Sequence, residues 1–153
     1  MAVDIGPKIG IEGESEFRKQ LKNVNEQIKT LGSEMKVVET AFEGQEKSEE
    51  ALTAKSRVLT EEIGKQREKV DLLTKGLKES AEKYGENDER TLKWQQAVNN
   101  ATAELNKMEN QLDKTTAELK DTLNSIYREL NIKAKATVPK YEDDYGFILK
   151  PHK

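Results

Sequence analysis

Few residues in this 153-residue chain have the types and spacing that chemistry needs. The single histidine, His152, stands beside Pro151 and one place from the last residue. A lone imidazole can ligate a metal or carry a proton. At a chain end the simpler reading is a solvated side chain. Glu86, Asn87, Asp88 and Glu89 gather oxygen ligands that suit calcium in type. The ligand spacing of a helix–loop–helix calcium loop is missing, and a helix cap explains them better. The chain has no cysteine, which excludes disulfides and thiolate metal sites. It also lacks a Gly-rich phosphate loop and a paired His–Glu motif. The expectation is a protein with no catalytic residue, no cofactor and no metal site.

The remaining candidates point to binding. Trp94 can anchor a binding surface, but it falls on an apolar repeat, which favours core packing. Lys65, Arg67 and Lys69 lie among Glu61, Glu62, Glu68 and Asp71, the pattern of a solvated helix face. Tyr141, Tyr145 and Phe147 read equally as a partner-docking motif or as part of a flexible tail. A net charge of −3 offers no basic excess for phosphates, so nucleic acid is not an expected partner. Apolar runs never exceed three residues, so neither a membrane span nor a signal peptide is expected.

Whatever binds must be positioned by long helices. Charged residues make up 36% of the chain and hydrophobic ones 34%, against about 25% and 45–50% in an ordinary globular domain. Low hydrophobicity can also mean disorder. Here the apolar residues fall in phase, and the three prolines and nine glycines cluster near apparent boundaries.

The predicted fold is all-α: a long antiparallel helical hairpin, an amino-terminal heptad helix, and short extended arms at both ends. Residues 1–13 read as an arm or short strand, because Val3, Ile5, Ile9 and Ile11 alternate around Gly6-Pro7 and Gly10. The coiled-coil region spans 14–130, with helices over about 16–43, 48–84 and 88–130. In the first helix Phe17, Leu21, Val24, Ile28, Leu31, Met35, Val38 and Phe42 step by four and three, a heptad seam. Gly44 and Ser48 mark a break and a cap. The second seam runs Leu52, Ser56, Leu59, Ile63, Gln66, Val70, Leu73, Leu77, Ser80 and Tyr84. Its three polar members can set register.

Gly85 and Asn87 or Asp88 mark a short turn, which favours antiparallel neighbours. The third seam starts at Thr91, Trp94 and Val98, continues to Ile126, and shifts in phase to Leu123 and Leu130. Leu73, Leu77, Tyr84, Trp94 and Val98 should therefore pack together near the turn. Residues 131–153 read as an extended or flexible tail, since Ile132, Ala134, Ala136 and Val138 alternate and Pro139 follows.

Association follows from the energetics. A buried large aliphatic side chain contributes about 1.5–3 kcal/mol, while ordering each backbone residue costs about 1–2 kcal/mol. Two apolar positions in seven do not offset that cost for an isolated helix. The first seam must find either the hairpin or another chain, and a homo-oligomer formed through it is expected.

Some stretches also resemble a known family. Ile9-Gly10-Ile11-Glu12-Gly13-Glu14-Ser15-Glu16-Phe17, followed by Leu31-Gly32-Ser33-Glu34-Met35-Lys36, resembles the amino-terminal region of phage tail tape-measure proteins. Ala51-Leu52-Thr53-Ala54-Lys55, Tyr84-Gly85-Glu86-Asn87-Asp88-Glu89-Arg90-Thr91 and the run from Leu105 to Leu119 are similar to the same family. The resemblance covers residues from about 3 to about 120. It implies a structural role in tail assembly and tail-length determination, with tail tube subunits and tail chaperones as partners. It places the protein in the host cytoplasm during assembly, or in the virion tail of a functional phage. The alternative is a generic cellular coiled-coil adaptor or a holdase-type chaperone.

Overall fold

The computed structural model describes residues 6–137, with side chains described through residue 133. These residues form three helices and no strand: α1 (Glu14–Ala41), α2 (Glu49–Tyr84) and α3 (Glu89–Thr137). No helix among them is long and apolar enough to cross a membrane.

Helix boundaries follow local chemistry. Glu14 and Glu16 sit in the first turn of α1, where acids complement the positive helix end. Ser48 caps α2, its hydroxyl accepting from the Ala51 N–H at 3.2 Å. At the other end of α2 the Gly85 N–H reaches back to Ala81 O, with φ 96° and ψ 156° at Gly85, a region almost confined to glycine. Asp88 then opens α3 by accepting the Arg90 N–H at 2.9 Å.

The third helix extends beyond the expected stop near Glu129–Leu130. Residues 131–137 are helical, not extended. Ala and Lys are strong helix formers and nothing breaks the chain before Pro139, so propensity overrides the alternating apolar pattern. Val3 and Ile5, and the tail candidates Val138, Tyr141, Tyr145, Phe147 and His152, lie outside the described residues.

Helices α2 and α3 run in opposite directions. Ser80 meets Thr91 across a buried 2.9 Å hydroxyl pair, Gln66 Nε2 donates to Ala101 O at 2.9 Å, and Arg67 pairs with Glu109 at 2.7 Å. Two of the three polar seam residues are thus satisfied. Each pins register, because a one-turn slip would leave a buried polar group unpaired. The third, Ser56, has a buried hydroxyl with no partner.

α1 packs on α2 of the same chain. Phe17, Leu21, Val24 and Leu31 are buried, and Ile28, Met35, Val38 and Phe42 are half-buried. Of the two partners left open for this seam, the hairpin or another chain, α2 of the same chain faces it. On α2 a second row, one residue back from the first, runs Ala51, Lys55, Val58, Glu62, Lys65, Lys69, Leu72 and Gly76, again in four-three steps. Ala51 and Lys55 line a cleft with Val38 and Phe42, and Glu62 lines another with Met35 and Glu39. The stripe is small or apolar towards its ends and charged in its middle. Burial and then the Glu39 charge push the Glu62 carboxyl up, while burial pulls Lys69 down against the opposing pull of Glu104.

Candidate functional site

Two places stand apart from ordinary helix packing: the closed end around Trp94 and the bare end of α3.

At the closed end Trp94 is fully buried. It shares a cluster with Ile9, Phe17, Leu21, Leu73 and Ala101, and Leu77, Tyr84 and Val98 pack against that cluster. The five expected packing residues, Leu73, Leu77, Tyr84, Trp94 and Val98, therefore lie together. The Phe17 ring meets the indole in a tilted arrangement, centroids 6.1 Å apart.

What covers this ring has no counterpart in the apolar repeats. Two glycines clasp it: a Cβ on Gly76 or on Gly6 would overlap the indole. Gly76 is a close-approach position inside α2, where a helix would otherwise prefer alanine. Residues 6–13 form a non-helical arm ahead of α1, and Gly6, Pro7, Ile9 and Ile11 of it lie against the ring or its cluster. Trp94 Nε1 donates to Pro7 O at 3.2 Å, the Tyr84 hydroxyl to Ile9 O at 2.7 Å, and Lys83 Nζ to Gly10 O at 2.6 Å.

From α1, Glu14 accepts the N–H groups of Ile9 and Gly10 at 2.8 and 2.7 Å. Arg18 donates from Nε to Glu14 at 3.0 Å and from Nη1 to Gly6 O at 3.1 Å. Burial alone would raise Glu14, but the two amide donors and Arg18 outweigh it and hold the carboxylate below its ordinary value. The turn beside this cluster is braced as well. The Arg90 guanidinium lies 3.4 Å from the Tyr84 ring centroid and pairs with Asp88 at 2.8 Å. The Arg90 side chain and backbone N–H lower the Asp88 pKa to about 2.

At the bare end α3 outruns its neighbours. Thr122 Oγ1 donates to Lys47 O at 3.3 Å, which aligns Thr122 with the α1–α2 loop. From there to Thr137 the helix continues for about 22 Å. Leu123, Ile126, Tyr127, Leu130 and Ile132 are all exposed along this stretch.

The clasp joins main chain to side chains within one molecule, and its carboxylate is occupied by three donors. Among the described residues no group of three His, Cys, Asp or Glu side chains could hold a metal ion. Lys65 and Lys69 are half-buried along the α1-facing stripe, while Arg67 turns out to Glu109, so the basic cluster is divided between two faces.

No family model, curated protein or solved structure matches the chain.

Proposed function

We propose that this chain is a structural assembly protein of the phage tail tape-measure type, acting through protein–protein association in tail assembly and tail-length determination. In this reading α2 and α3 form an antiparallel coiled-coil hairpin with α1 as a third strand of the bundle, and α3 carries the seam onward to other chains. The observation that carries the reading is the projecting end of α3. A stripe with the same spacing as the buried seams runs past its last partner among the described residues, and its apolar residues are exposed. Exposed apolar side chains aligned on one helix face suit an interaction site, and a protein partner is the reading taken here. A second copy, a tail tube subunit or a tail chaperone are the proposed partners, and the sequence resemblance supports that choice.

The test is genetic. Disrupting the gene in a phage or inducible prophage that carries it should abolish tails or change their length in electron micrographs. Tails of normal number and length would reject the tail role. The same bare stripe also favours the second reading, an adaptor or holdase-type chaperone. That reading predicts suppression of aggregation of an unfolded client, and loss of this effect in Leu123→Lys/Leu130→Lys.

A further inference from the structure

A cleft of about 620 Å³ lies between α1 and α2, and α3 contributes no residue to it. Leu31 and Gly64 line it among acids: Glu26 and Glu34 from α1, Glu61 and Glu68 from α2. Lys65 is the one basic residue in the lining, and it pairs with Glu68 at 3.5 Å. Four carboxylates thus stand against one ammonium, a formal charge of −3. Glu26, Glu34 and Glu61 enter no ion pair among the described residues. Phe42 lies by Ala51 and Leu31 by Gly64, so α1 and α2 run in opposite directions. Glu26 therefore sits towards Glu68 and Glu34 towards Glu61. The acids form two pairs, one at each end of a cleft about 12 Å long.

Gly64 is a second, independent mark on the same cleft. A glycine inside a helix costs stability relative to alanine. At Gly76 that cost makes room for the indole. At Gly64 a Cβ would meet nothing within 4 Å, so no described residue uses the room. A bare backbone on an exposed helix face allows close approach from outside.

The bare end of α3 has the complementary features. Leu123, Ile126, Tyr127 and Leu130 are exposed and share one face at three- and four-residue spacing. Lys120 lies three residues before this stripe and Lys133 three residues after it, about 20 Å apart along the axis. Of the nearby acids, Asp121 falls on the opposite face by helical spacing, and Glu129 stands 4.0 Å from Lys133. Lysine carries its charge on a long flexible stem. A lysine at each end of the stripe can therefore meet a carboxylate pair at each end of the cleft.

We propose that the bare end of α3 of one copy docks in the α1–α2 cleft of the next. The apolar stripe lies over Leu31 and Gly64, and Lys120 and Lys133 meet the two acid pairs. The two surfaces differ, so the contact is head-to-tail and adds copies into a ring or a filament. The inference rests on the reading of the bare stripe as a protein contact, and it needs no phage. Sedimentation of the full chain across concentration at low salt is the test. The mass should rise past that of a dimer and fall back with added salt. Glu26→Lys/Glu34→Lys reverses one charge at each end of the cleft, and Lys120→Glu/Lys133→Glu reverses both on the tip. Each pair should weaken association about tenfold or more. The chain with all four should associate about tenfold more tightly than two independent losses would allow. Gly64→Leu fills the point of close approach and should weaken association by a similar factor.

A parent chain that stays monomeric at about 1 mM, where even weak contacts register, overturns the proposal. So does an assembly that stops at two copies. If Leu123→Lys/Leu130→Lys disperses the assembly while the cleft variants do not, the cleft falls and the stripe keeps its reading. If none of these variants disperses it, both fall. The substituted acids, lysines and Gly64 are exposed, so helical circular dichroism should hold. Should Glu26→Lys/Glu34→Lys lose it, Gly64→Leu decides in its place.

Discussion

The two ends of α3 share one spacing rule and meet opposite fates. Near its start, Trp94 and Val98 are enclosed by α2, α1 and the arm. Towards its finish, Leu123, Ile126 and Leu130 continue the four-three pattern into solvent. Apolar period alone therefore marks the face a helix wants to cover, not what covers it. At the closed end the covering came from a segment with no helical period. At the bare end no segment among the described residues supplies it.

The largest break in this contrast should come from Trp94→Ala. Removing a fully buried ring costs about 3–5 kcal/mol, and here the arm loses its floor as well. Chemical denaturation followed by circular dichroism should show the drop. A loss below about 1 kcal/mol, the ordinary size for a point substitution, would mean that the closed end is not the stable part of the molecule.

Tyr84→Phe is a finer probe of the same end. It deletes only the hydroxyl that donates to Ile9 O and keeps the ring under Arg90. The expected loss is about 1 kcal/mol, with faster amide exchange at Ile9 and Gly10. Unchanged exchange would show that the arm is held without that bond.

At the bare end, Leu123→Lys with Leu130→Lys should leave monomer stability within about 0.5 kcal/mol of the parent. Any association through the stripe should fall in sedimentation. If stability falls by several times that amount, the stripe is covered within the chain and the contrast between the ends disappears.

The smallest expected effect is an acid titration beside the closed end. Arg90 holds the Asp88 pKa at about 2, below the unfolded value of about 3.9. A depressed folded value means the carboxylate contributes stability above the unfolded pKa. That contribution declines as pH falls towards 2 and is gone below it. Carbon-detected NMR of the Asp88 carboxyl should give a midpoint near 2. In Arg90→Gln the midpoint should move up towards the unfolded value.

Much of the fold was legible because it is local. Ser48, Gly85 and Asp88 act within a few residues of the helix ends they define, so their types announced the breaks. The α2 seam was legible through its period, and Gln66 and Ser80, polar members of it, are buried with hydrogen-bond partners on α3. Trp94, on the same kind of period, was legible as a packing residue.

The rest was hidden for physical reasons. The contact between Pro7 and Trp94 joins residues 87 apart and leaves no repeat in the sequence. Gly76 reads as a weak point in a helix until the ring it admits is known. The second stripe of α2 is interrupted by Glu62, Lys65 and Lys69, which masks its period. Residues 131–137 misled in the other direction, since chance alternation imitated an extended segment in a stretch of strong helix formers.

The arm's position has a consequence for the order of folding. Ser80 and Thr91 are 11 residues apart, so their pairing closes a short loop. The arm must close one of more than seventy residues to reach Lys83, Tyr84 and Trp94. Contacts of low sequence separation form faster, so α2 and α3 should be joined before the arm settles. During synthesis the asymmetry is sharper: residues 6–13 leave the ribosome before any part of α2 does. The arm is thus made before its groove and placed after it, and refolding followed by the Trp94 indole should show a slower phase than refolding followed by helix content.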